Sequence, residues 1–199
     1  MLTLINISQA SAHLPVPLKE KNSLMTYLKS RIHPLPEYFD RYILECPYDE
    51  LYEALEKTTD TFRDFNWKKA AELGTTAYAP GKWSIPDIVQ HLTDTEWVFN
   101  YRALRFARND QTVLSSYDEN EFAIAAEASK RPLHELVEEF LDLRKSTLHL
   151  FRSFTAEMLE RSGVCWNKRV SVAGLGFISA GHPVHHLKVI EERYFPLIK

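Results

Sequence analysis

Three histidines have a spacing that suits metal chemistry. His182 and His186 are four residues apart, and His91 opens an earlier amphipathic segment that runs to Glu96. On a helix, residues four apart project from the same face, one turn from each other. Two such imidazoles and a third from a neighbouring helix would form a three-nitrogen set that suits a divalent metal. Such a set leaves coordination positions open, which a catalytic metal needs.

The spacing alone leaves a second interpretation open, because a helical core can hold neutral histidines that only hydrogen-bond a carbonyl or a carboxylate. The helix of zinc proteases has Glu directly after its first histidine. Here Pro183 follows His182. The pair is therefore not a zinc-protease motif.

Pro183 is itself unusual inside a predicted helix. Proline lacks an amide donor and clashes with the carbonyl four residues back, here that of Ser179. It also disfavours helical geometry at His182. Two interpretations remain: a tolerated kink aided by Gly181, or a kink that turns His182 inward.

Other polar residues lie close to these histidines in sequence. His185 points about 100° away from His186 around the helix, so it is a poor third ligand and is expected at the surface or the cleft mouth, with the surface favoured. Asp94 follows His91 by three residues and is a candidate to accept a hydrogen bond from a ligand imidazole; the alternative is an ordinary solvated aspartate. Glu96 lies on an apolar row and is a candidate partner for a core arginine.

Arg102 and Arg105 share the helical row of His91 but begin about 16 Å along the axis from it. We expect them to pair with Asp118 and Glu119 and to fasten a short helix to the bundle. Binding of an anionic substrate tail is the alternative.

Four long amphipathic segments must position these residues. They cover about residues 48–66, 84–108, 132–154 and 171–195. Ser84 and Asp87 form a capping-box pattern at the start of the second segment, and Asp118 is expected to cap a short helix. Gly163 is expected to end a connecting turn.

The pattern contains no convincing pair of alternating strands, so it predicts an all-α four-helix bundle with short connecting helices. Residues 1–33 are predicted to be an irregular N-terminal extension, and residues 34–199 the bundle domain. In the second and fourth segments an apolar row lies beside a row that holds histidine and arginine. Packing the two mixed rows together would line a polar cleft.

Composition narrows the class of protein. The chain has 199 residues, of which 45% are hydrophobic and 26% charged, which is ordinary for a soluble protein. A net charge of −3 without a long basic run argues against nucleic-acid binding. There is no apolar run of about 20 residues and no basic segment typical of a signal peptide, so we expect a cytoplasmic protein without membrane association.

Four stretches of sequence resemble the DinB-like superfamily, specifically its YfiT-like branch, over about residues 34–199. The stretches are Pro80–Glu96, Tyr101–Arg108, Tyr117–Asn120 and Ala180–Leu187. The most specific parts are Trp-Ser-Ile…His-Leu-x-Asp-x-Glu in the first and Gly-His-x-x-His-His in the last.

The resemblance implies a four-helix bundle that binds a divalent metal (nickel, zinc, iron or manganese) through His91, His182 and His186. Pro183 departs from the residue usual in the family. Such a metal would activate water in a hydrolase, or a low-molecular-weight thiol in an S-transferase or a thiol-dependent isomerase, acting on a small-molecule substrate. The resemblance is also compatible with a homodimer. The alternative is a non-enzymatic stress-response binding or dimerisation module that keeps the metal for stability.

Overall fold

The computed structural model describes residues 26–198, and its secondary structure is mainly helical. The helices are α1 (Asp40–Glu45), α2 (Leu51–Arg63), α3 (Trp67–Ala71), α4 (Ile85–Ala107), α5 (Glu119–Ala126), α6 (Leu133–Arg152), α7 (Ala156–Glu160) and α8 (Val172–Val189). A short antiparallel hairpin is formed by β1 (Ser162–Cys165) and β2 (Lys168–Ser171). Among the described residues, none of the helices is both long and apolar enough to cross a membrane. The predicted all-α class is confirmed, with the hairpin as a minor addition.

The long helices begin where polar side chains satisfy their free amide groups. Ser84 and Asp87 form the predicted capping box at α4, and Ser171 accepts a hydrogen bond from Gly174 N at α8. Asp118 caps α5 as predicted, accepting hydrogen bonds from Asn120 N and Glu121 N.

Helices α2, α8, α4 and α6 form the bundle, in that cyclic order. Helix α8 also packs against α1, and its first half is almost entirely buried between its neighbours. A Cβ atom on Gly181 would lie 1.9 Å from the carbonyl oxygen of Tyr42, so glycine allows α1 to approach α8 closely. Because α4 and α8 are neighbours in this ring, the three candidate histidines lie on adjacent helices.

One ion pair lies in the middle of the bundle. Glu96 of α4 contacts Arg144 of α6 at 2.7 Å, and both side chains are at most 3% exposed. The expectation that Glu96 pairs with a core arginine is confirmed.

The hairpin corrects the prediction around Gly163, which lies within β1 and not at the end of a turn. The two turn residues, Trp166 and Asn167, have φ of 56° and 59°. This two-residue connection normally carries Asn-Gly or Asp-Gly. The sequence therefore lacked the usual hairpin signal.

The expected pairing of two α4 arginines was also wrong. Arg102 donates to the backbone carbonyl of Ser115 at 2.9 Å, and Arg105 pairs with Asp110. Asp118 is occupied in capping α5. The loop between α4 and α5 is thus held by a hydrogen bond from the Arg102 side chain to its backbone and by the ion pair of Arg105 with Asp110.

Both ends of the described chain differ from the expected pattern. Residues 1–25 of the predicted extension lie outside the described residues, whereas Tyr27 and Ile32 are buried in the core. The expected boundary at residue 34 thus falls inside packed structure. The fourth long helix was expected to reach residue 195, but α8 is followed by a π-helical turn, Ile190–Tyr194, and a 3-10 turn, Phe195–Leu197.

Candidate metal centre

The three candidate histidines meet inside the bundle. His182 Nε2 lies 3.1 Å from His91 Nε2 and 3.0 Å from His186 Nε2. One nitrogen of each ring lies within 4.8 Å of the others. The structure therefore brings together the residues that the sequence singled out, although 91 positions separate His91 from His182.

Burial keeps these rings neutral. It lowers the pKa of His91 from 6.5 to about 4. The pKa values of His182 and His186 are also well below 6.5, first because of burial and then because of the neighbouring imidazoles. A neutral imidazole has one nitrogen with a free lone pair, and a metal ligand requires that lone pair. The three rings are thus in the protonation state that metal binding needs.

The spacing of the nitrogens fits a single cation. Two nitrogens bound to one ion at about 2.1 Å lie about 3.0–3.4 Å apart, depending on the coordination geometry. The two Nε2 separations, 3.1 and 3.0 Å, fall in that range. The residues present therefore fit a divalent ion held by three imidazoles.

Aromatic side chains pack around the rings and fix their orientation. Trp83 lies against His91 with ring centroids 4.6 Å apart, and Tyr42 lies against His182 at 4.9 Å. Tyr194, in the π-helical turn, donates a hydrogen bond to the carbonyl of Trp83 at 2.5 Å. The close approach of α1 at Gly181 and the turn after α8 thus both support the histidine cluster.

Thr95, not Asp94, lies beside the outer nitrogen of His91. The hydroxyl of Thr95 is 3.4 Å from His91 Nδ1 and 2.9 Å from the hydroxyl of Tyr117. Asp94 instead accepts a hydrogen bond from Gln90 at 2.8 Å. Sequence reasoning missed Thr95, because a threonine one turn from a histidine is common in helices.

His185 points away from the cluster, as its position on the helix predicted. Its Nδ1 lies 2.9 Å from the carboxylate of Glu45 in α1, and its ring packs on Tyr42. It is half-buried and not on the open surface that was favoured for it.

A cavity of about 240 Å³ opens beside the histidines. His186 is part of its wall, and the rings of Tyr78, Trp83 and Tyr194 supply much of the rest. His186 keeps partial exposure, whereas His91 and His182 are buried. The cluster is therefore reached from the side of His186.

Two charged side chains line the same cavity, and the sequence analysis assigned neither to the site. Glu119, at the start of α5, forms no hydrogen bond or ion pair with the described residues, and its pKa is raised, chiefly by burial. Lys82 has no carboxylate within 4 Å of its ammonium group among the residues that the structure describes. Only the fold could reveal them, because α5 and the loop before α4 are far apart in sequence.

Comparison with known proteins identifies the family of this chain. The sequence profile of the DinB superfamily matches residues 47–190, which is most of the chain. The chain belongs to the DinB superfamily. No curated protein matches the sequence of this DinB-superfamily member at a significant level.

Among solved structures, the fold resembles YfiT from Bacillus subtilis, described as a probable metal-dependent hydrolase with an unusual four-helix bundle topology. The TM-score is 0.59 at 17% sequence identity, over 80% of this chain and 87% of YfiT. At that identity the likeness establishes the fold of this DinB-superfamily chain.

Proposed function

We propose that this protein is a metal-dependent hydrolase, in which His91, His182 and His186 hold a divalent cation. One observation carries the proposal: three neutral imidazoles converge, and one of them also lines a cavity. The description of YfiT as a probable metal-dependent hydrolase supports the same proposal. Zinc, nickel and iron are candidate ions because imidazole nitrogens suit them, and manganese is a further candidate from the resemblance to the DinB-like superfamily.

When bound, such an ion would polarise a substrate carbonyl and lower the pKa of a coordinated water. The residues of the chain would supply the rest of the chemistry. The aromatic wall of Tyr78, Trp83 and Tyr194 would bind the apolar part of a small substrate and exclude bulk water. Glu119 would accept a proton from the attacking water, since its carboxylate forms no hydrogen bond or ion pair with the described residues and the charge of Arg41 only partly offsets the effect of burial on its pKa.

The metal content of the purified protein tests the proposal. The protein is prepared without an affinity tag or added metal, and its metal content is measured by elemental mass spectrometry. We expect close to one equivalent of a divalent metal. Small p-nitrophenyl esters should be hydrolysed faster by this protein than by protein treated with a chelator. A metal content below a tenth of an equivalent would remove the hypothesis.

Replacing Glu119 should separate catalysis from metal binding. We expect Glu119→Gln to lower kcat for ester hydrolysis by about a hundredfold, because the amide cannot accept the proton. The metal content should stay unchanged, since Glu119 is not among the three clustered histidines. Glu121→Gln is the matched control, because this exposed carboxylate lies on the same helix. Equal rates for Glu119→Gln and the wild type would exclude the assigned role.

Transfer of a group to a low-molecular-weight thiol is the second candidate function. The presence of two adjoining cavities at the site supports it. A second cavity of about 590 Å³ shares Lys82, Trp83 and Asn120 with the first. Two adjoining cavities offer room for two reactants, as a transferase needs. Rates that rise with added thiol, together with a thiol adduct as product, would support the transferase over the hydrolase.

Thermal melting with and without a chelator distinguishes the third hypothesis, a non-enzymatic bundle stabilised by metal, from the hydrolase and the transferase. A large loss of stability without any metal-dependent turnover would favour that module. The thiol-dependent isomerase is tested by adding thiol to unsaturated diacids and following isomerisation.

A further inference from the structure

A buried polar chain links three helices of the bundle through one arginine. The Nη2 atom of Arg144 on α6 lies 2.7 Å from the carboxylate of Glu96 on α4. The same nitrogen donates to the backbone carbonyl of Ser179 on α8 at 2.9 Å. Arg144 is completely buried, so these contacts are made without competition from water.

The carbonyl of Ser179 needs an external donor because of Pro183. In a regular helix this carbonyl would accept a hydrogen bond from the amide four residues later, and Pro183 has no amide hydrogen. Arg144 supplies the missing donor. The structure thus shows how the proline inside α8 is accommodated, which the sequence had left open.

The two ends of this chain lie next to the candidate metal ligands. Glu96 follows His91 by five residues on α4, and Ser179 precedes His182 by three residues on α8. A contact that fixes Glu96 relative to Ser179 therefore also fixes the two helix segments that carry His91 and His182.

Neighbouring side chains hold Glu96 in place. The hydroxyl of Thr147 donates to Glu96 at 2.5 Å and accepts a hydrogen bond from Asn100 at 2.8 Å. The other nitrogens of Arg144, Nε and Nη1, have no hydrogen-bond partner among the described residues. A buried guanidinium that leaves two donors unsatisfied is poorly explained by stability alone.

We propose that Arg144 is a positioning residue for the metal centre, which binds the carbonyl that Pro183 leaves free and so sets His182 against His91. The inference rests on the proposed function, because it requires a metal at the three histidines. Arg144, Glu96 and Pro183 then act together to position the histidines, although none of the three is a candidate metal ligand.

A double-mutant cycle tests this coupling. The first change is Arg144→Met with Glu96→Gln, which removes the guanidinium without leaving a buried carboxylate unpaired. The second is Pro183→Ala, which restores an amide donor to the carbonyl of Ser179. The affinities for Zn²⁺ and Co²⁺ are measured by competition with a chromophoric chelator, and the visible spectrum of the Co²⁺ form reports the ligand geometry.

We expect Arg144→Met with Glu96→Gln to weaken metal binding by about ten- to a hundredfold and to change the Co²⁺ spectrum. With Ala at position 183 the same change should weaken binding less than about threefold, because the helix then satisfies its own carbonyl. Equal losses in both backgrounds, or no loss in either, would overturn the inference. A wild type that binds no metal would instead remove the proposed function.

Two further variants keep the outcome independent of folding. Arg144→Lys retains a cation opposite Glu96 on a shorter side chain, so we expect weaker metal binding with a smaller loss of stability than Arg144→Met alone would cause. Leu159→Ala, a buried site on α7, controls for a general loss of stability. It should lower the melting temperature and leave metal affinity and the Co²⁺ spectrum unchanged. If Leu159→Ala weakened binding as much as the arginine variants, the positioning role would be excluded.

Discussion

His182→Ala should weaken the binding of Zn²⁺ or Ni²⁺ by a hundredfold or more. Its Nε2 is the atom that approaches both other imidazoles, at 3.1 and 3.0 Å. Structural zinc sites with four ligands bind with about 10–16 kcal/mol, so one ligand of such a set contributes about 3 kcal/mol, or about a hundredfold in affinity. The measurement is the dissociation constant from chelator competition, together with the metal content of the purified variant.

His185→Gln is the matched control for that experiment. It removes an imidazole from the same stretch of α8, but one that contacts Glu45 and lies outside the three-histidine cluster. We expect its metal affinity to remain within about threefold of the wild type. If both variants bound metal like the wild type, the assignment of His182 as a ligand would be wrong.

The metal-free protein should lose stability between pH 7.5 and 5.5. The folded state holds His91 with a pKa of about 4, against 6.5 for the free side chain, and the pKa values of His182 and His186 are also held well below 6.5 by burial. Between 6.5 and the folded pKa the unfolded chain binds protons that the folded chain does not, so the free energy of unfolding falls as the pH falls. For His91 alone this change is about 1.3 kcal/mol between pH 7.5 and 5.5, and His182 and His186 add to it in the same direction.

Urea denaturation in the presence of a chelator measures this effect, and His91→Gln isolates one of its three parts. Glutamine is neutral at both pH values, so the difference in unfolding free energy between pH 7.5 and 5.5 should shrink by about 1.3 kcal/mol, the part that His91 contributes. The carboxyl groups whose pKa is raised by burial, such as Glu96 and Asp94, are present in both proteins, and their contributions cancel in the comparison. Equal pH dependence in the two proteins would contradict the prediction.

Much of the helical architecture could be predicted from the sequence because its signals are local. The capping box of Ser84 and Asp87 and the cap at Asp118 depend on residues within one helical turn. The four-residue separation of His182 and His186 likewise holds within a single helix. The hairpin lacked such a signal, because Trp166 and Asn167 adopt a positive φ that glycine more often supplies in such turns.

The surroundings of the site could not be predicted from the sequence, because they depend on which helices become neighbours. Arg144 meets Ser179 only because α6 and α8 are in the same core, and 35 positions separate the two residues. Glu119 reaches the cavity of His186 through the path of the loop before α5. Amphipathic spacing identifies the buried face of a helix but leaves open which helix covers it.

The placement of α8 among α1, α2 and α4 has a consequence for how the protein matures. His91 and His182 belong to helices whose contact closes a long stretch of chain, so their nitrogens meet only after the bundle has assembled. A metal ion held by these three histidines would therefore bind after the bundle has folded. It would reach them past His186, the one ligand candidate that keeps contact with solvent.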